Sequence, residues 1–99
     1  MATAQEVIAA IDGYMQKFSG KTNGDWYVGI ASDARKRLFT DHNVDEKNGA
    51  WIYRQADSHT IARNVEAAYH KAGCKGGPGG GDDATDKVYA YVITSTTAE

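Results

Sequence analysis

Three short runs dense in aromatic and β-branched residues, at 26–31, 50–54 and 88–93, alternate with segments of helical periodicity. That alternation constrains the fold more than any other feature of the chain. Ahead of the first run, Val7, Ile8, Ile11, Tyr14, Met15 and Phe18 fall on one helical face. Thr3 and Glu6 supply a capping-box pattern at its start, and Gly20 stands where a left-handed closing residue belongs. Before the third run, Ile61, Ala62, Val65, Ala68, Tyr69 and Ala72 make a second stripe, capped by Ser58 and ended by Gly73. The helix between them, entered through Ser32 or Asp33, is short and basic: it turns Ala34, Leu38 and Phe39 inward and carries Arg35, Lys36 and Arg37 in its first turns. The order α-β-α-β-α-β predicts a single α+β domain over 1–99, a three-stranded mixed or antiparallel sheet flanked by three helices. The tail from Thr94 is expected to fray.

Composition narrows the function classes. Ninety-nine residues allow one core, and 41% apolar with 24% charged residues is ordinary globular usage. A net charge of -2 gives no global attraction to phosphate, so a nucleic-acid site must be a local patch. The lone Cys74 excludes an internal disulfide and a cysteine-based metal site. The start lacks a basic flank, and the longest apolar run, 7–11, is too short for a membrane span. These features predict a cytoplasmic protein with no membrane association.

The chemistry-bearing stretch is Tyr27-Val28-Gly29-Ile30-Ala31-Ser32-Asp33-Ala34-Arg35-Lys36-Arg37-Leu38, with a tyrosine and an arginine ten residues apart across a strand-to-helix junction. Tyr27, Gly29, Asp33, Arg37 and Leu38 resemble the second half of the GIY-YIG nuclease signature. The resemblance continues to Glu66, in Ala62-Arg63-Asn64-Val65-Glu66-Ala67-Ala68-Tyr69, which takes the place of that family's metal-binding glutamate. The family often has a histidine four residues after the arginine; here His42 stands five after Arg37. Its first motif, a Gly-Ile-Tyr strand upstream of Tyr27, has no counterpart as a strand, because Gly13-Tyr14 lies in a capped helix. The C-terminal strand is expected to fill that place, with Tyr89 or Tyr91 substituting.

The resemblance implies a nuclease that hydrolyses phosphodiester bonds of DNA or RNA with Mg²⁺ or Mn²⁺. Glu66 would hold the metal, Arg37 would stabilise the phosphate, and Tyr27 with Tyr89 or Tyr91 would aid the attacking water. Arg35, His42, Arg63, Gly77 and Gly79 are the candidate substrate-binding residues. A competing implication is a degenerate module on the same scaffold that binds nucleic acid, a nucleotide or a protein partner, or that self-associates. Helical geometry puts Glu66 at the edge of its apolar stripe, where a carboxylate can face a cleft. An ion pair with Arg63 or His70 on a solvated face is the plain alternative. Trp26 and Trp51 read as core or sheet anchors. Six glycines among residues 73–83 read as a flexible connection or as an anion-binding nest.

Overall fold

The computed structural model describes residues 2–18, 20–77 and 84–98. Its strands are β1 (Trp26–Ala31), β2 (Trp51–Gln55) and β3 (Lys87–Val92), and its principal helices are α1 (Ala4–Met15) and α3 (His59–Lys71). Between β1 and β2 lies α2 (Ala34–Lys36), which runs directly into a π-helical turn, Arg37–Asp41. The sheet order is β1-β3-β2 and both pairings are antiparallel. The last strand in sequence is therefore the central one, beside the strand that carries Tyr27.

Period-two alternation sorts the sheet into two faces. Trp26, Val28, Ile30, Ile52, Val88 and Ala90 point to one side, where Val7 and Ile11 of α1 and Ala62 and Val65 of α3 cover them. On the other side the register sets two rows across the three strands: Gly29, Tyr89 and Tyr53 in one, Tyr27, Tyr91 and Trp51 in the next. Leu38, Ala34 and Val44 from the α2 segment pack onto this aromatic face.

The capping signals act as the sequence implies. Thr3 and Glu6 exchange hydrogen bonds at the start of α1, and Ser58 accepts from the Ile61 amide at the start of α3. Gly20 and Gly73 hold φ of 87° and 112°, a region costly for any side chain. The helix predicted through Phe18 ends at Met15, yet Tyr14 and Phe18 still pack edge-on against Trp26.

Two expectations are corrected. The middle helix does not continue as an α-helix: the amide of His42 bonds the carbonyl of Arg37 at 2.9 Å, five residues back. The tail does not fray up to Ala98, because the Ala98 amide donates to the His42 carbonyl at 2.7 Å and Asn43 Nδ2 to the Thr96 carbonyl at 2.9 Å. No helix among the described residues is long and apolar enough to cross a membrane.

Candidate functional site

A cleft of about 1080 Å³ opens along the outer edge of β1. Tyr27 and Gly29 of β1 and Tyr89 of β3 form its floor, and Lys36, Arg37 and Asp41 one wall. Glu66 and His70 of α3 form the opposite wall, continued by Lys75, Gly76 and Gly77. Sequence-distant residues converge because β3 lies next to β1 while α3 crosses behind both.

Tyr27, Arg37, His42, Glu66, Gly77 and Tyr89 all line the cleft. Arg35 does not: it is exposed, ion-paired with Glu46 and stacked over Phe39. Arg63 is exposed on α3 outside the cleft lining. Tyr91 is fully buried, one residue row behind Tyr89. Gly79 lies outside the described residues. His70, one turn on from Glu66 on the same flank of α3, also lines the cleft, and Lys36 and Lys75 are additional members brought in by the placement of their segments around the β1 edge.

The residue count that sets His42 apart from the usual histidine spacing is absorbed by the π turn. On an α-helix a residue five positions on is rotated away by roughly 140°. The wider turn carries His42 back over Arg37, so both reach the same cleft. His42 is buried and both its ring nitrogens are occupied: Nε2 lies 2.9 Å from the Tyr89 hydroxyl, Nδ1 2.6 Å from the Ala98 carbonyl and 2.9 Å from the Tyr91 hydroxyl. Its ring also packs on Tyr27, 4.7 Å between centroids. His42 therefore supports Tyr89 instead of meeting a ligand itself.

Glu66 is 7% exposed and makes no hydrogen bond or ion pair among the described residues, so the plain pairing with Arg63 or His70 is not formed. Burial pushes its carboxyl above the ordinary glutamate range, while His70, Arg63 and His59 pull it back. A largely buried carboxylate without a partner is costly to ionise. His70 itself is engaged: Nε2 donates to the Val28 carbonyl at 2.8 Å on the outer edge of β1, where Lys75 also bridges the strand.

Tyr89 is the centre of the site. Burial raises its phenol strongly, Tyr27 adds to the rise, Arg37 opposes it, and Glu66 and Asp41 reinforce it. Arg37 is half exposed and its contact with Asp41, 3.6 Å, is a solvent-screened pair of small worth, which leaves the guanidinium free to take a phosphate. Gly29 makes room for Tyr89, since a Cβ there would sit 2.5 Å from the phenol oxygen.

Among the described residues no group of three or more His, Cys, Asp and Glu is placed to hold a metal. A Mg²⁺-type site needs less: one or two carboxylates, with waters and substrate phosphates completing the shell. Glu66, an unpartnered hard oxygen donor, fits that requirement, and Asp33 and Asp41 add carboxylates to the same lining. Compared with models of known protein families, with curated proteins and with solved structures, the chain matches none.

Proposed function

We propose that the protein is a divalent-metal-dependent phosphodiesterase acting on nucleic acid, with the cleft beside β1 as its active site. One observation carries this reading: an unpaired, buried Glu66, a half-exposed Arg37 paired only with Asp41, and a hydrogen-bonded Tyr89 line a single cleft although they come from three different elements. A hard cation for phosphate oxygen, a guanidinium for developing charge and a proton acceptor for water are the parts that phosphodiester hydrolysis requires.

Glu66 would hold Mg²⁺ or Mn²⁺, and such an ion supplies polarisation of a bound phosphate oxygen. Arg37 binds the non-bridging oxygens and offsets the charge that grows on them. Lys36 and Lys75, on facing sides of the cleft, track the flanking backbone. Tyr89 handles the proton. Its raised pKa makes a standing phenolate a poor candidate base, and the geometry offers a route that avoids one: as Oη takes the proton of the attacking water, the phenol passes its own to His42 Nε2. The phenol stays neutral throughout.

The binding-module alternative keeps the same groups without turnover, and it is favoured because the described residues hold no cluster of three or more metal ligands. The two readings separate when single- and double-stranded DNA and RNA are incubated with Mg²⁺ or Mn²⁺, with and without chelator. Metal-dependent cleavage supports the enzyme. Salt-sensitive binding with no product under any condition assigns the cleft to the module.

A further inference from the structure

We infer that the C-terminal segment 94–98 is a strap that holds the His42 proton on Nδ1 and thereby aims the Tyr89 hydroxyl at Nε2. A backbone carbonyl can only accept, so the 2.6 Å contact between Nδ1 and the Ala98 oxygen requires a proton on Nδ1. With the ring neutral, Nε2 is then bare and must accept from Tyr89, 2.9 Å away. This is the tautomer that a free histidine side chain disfavours, so something in the fold must impose it.

The strap is built to do so. The Thr94 and Thr97 pair closes a turn, with Thr94 N on Thr97 Oγ1 at 3.0 Å and Thr97 Oγ1 on the Thr94 carbonyl at 3.0 Å. That turn brings Ala98 back to the π segment, where its amide bonds the His42 carbonyl while its carbonyl takes the ring proton. Asn43, held at φ 55°, points its amide at the Thr96 carbonyl. Ala98 is thus pinned to a single residue through both of its backbone groups. Tyr91, 0% exposed, brings its hydroxyl to the same Nδ1 and seals it on the inner side.

His42 is in this account a positioning residue, and the strap is the element that sets it. The tautomer claim stands on the hydrogen bonds alone; its effect on turnover rests on the phosphodiesterase reading. The two are tested separately. In the intact ¹⁵N-labelled protein, long-range ¹H–¹⁵N correlation of the imidazole is expected to show protonated Nδ1 and bare Nε2 at His42. A chain ending at Ile93 should convert His42 to the Nε2–H form or to an exchanging mixture. Asn43→Asp keeps the left-handed residue and loses the donor to Thr96, and it should move the same signals part of the way; it decides the matter if the shortened chain does not fold.

An Nδ1–H signature that survives in both variants overturns the inference, whatever the protein does to nucleic acid. Where the intact chain cleaves, kcat of the strapless form should fall about tenfold, the worth of one well-aligned hydrogen bond, with KM unchanged because Arg37 is untouched. Loss of the tautomer with kcat intact overturns the positioning role.

Discussion

Gly29→Ala tests how tightly the site is packed around Tyr89. An alanine Cβ at this position would lie 2.5 Å from the phenol oxygen, 2.6 Å from Cζ and 3.0 Å from Cε2. Cζ would sit roughly an ångström inside ordinary carbon–carbon contact at 3.5–4.0 Å. Tyr89 is 2% exposed and its ring is the rigid neighbour, so it cannot swing into solvent to make room. Overpacking of this kind costs about 1–3 kcal/mol. Displacing the ring also strains the 2.9 Å bond to His42, worth about 0.5–1.5 kcal/mol. Against this stands a gain of about 0.4–1 kcal/mol from the stiffer unfolded chain. The balance is a loss of about 2 kcal/mol, a fall in Tm of roughly 8–16 °C for a domain of this size. Thermal and urea unfolding of Gly29→Ala, Tyr89→Leu and the double variant measure it. Leucine removes all three clashing atoms, so alanine at 29 should be neutral or slightly stabilising in that background. Gly29→Ala as stable as wild type, or equally costly in both backgrounds, would refute the packing argument.

Other consequences are direct. Glu66 has a folded pKa above its unfolded one, so its ionised form weakens the fold as pH rises through the folded value. Glu66→Gln should therefore be more stable than wild type at pH 7, with the difference vanishing below about pH 4, where both states of the wild type are protonated; a variant less stable at pH 7 would contradict the burial argument. Arg37→Ala should weaken nucleic-acid binding across sequences and reduce the salt-dependence slope by about one, as read from titrations at several salt concentrations. Tyr69 donates to Asp12 Oδ1 at 2.7 Å and approaches the Ile8 carbonyl at 3.2 Å, tying α3 to α1. Tyr69→Phe should cost about 1–2 kcal/mol, seen as a lower urea midpoint with unchanged slope.

Much of the fold was written in local patterns. The 3.6-residue stripes of α1 and α3, the Thr3 and Ser58 caps and the closing glycines act within a turn or two of themselves, so the sequence displays them. The three-stranded sheet follows, and its antiparallel pairing sets the last strand beside β1, so that Tyr27, Arg37, Glu66 and Tyr89 line one cleft. What was hidden depends on long-range geometry. Tyr89 and Tyr91 share a sheet face by period two and both are buried; that Tyr89 lines the cleft while Tyr91 lies against Tyr27, His42 and Ala98 depends on where distant segments pack. The π turn has no compositional mark in Arg-Leu-Phe-Thr-Asp; the fit of Leu38 and His42 onto the aromatic face goes with it. The docking of Ala98 runs through backbone groups, which every residue has and no side-chain pattern reports. Arg35 and Arg63 lie outside the cleft lining, because the side a helix presents to a cleft depends on what packs beneath it.

The account stands on Glu66 and Tyr89 acting at one place on one phosphodiester, and single-turnover cleavage by wild type, Glu66→Gln, Tyr89→Phe and the double variant tests that most directly. Groups that work as a unit lose most of the rate with the first substitution, so the double variant is expected to be scarcely slower than the worse single one. Cleavage by Glu66→Gln at the wild-type rate, or losses that simply multiply, would contradict a shared site in this cleft.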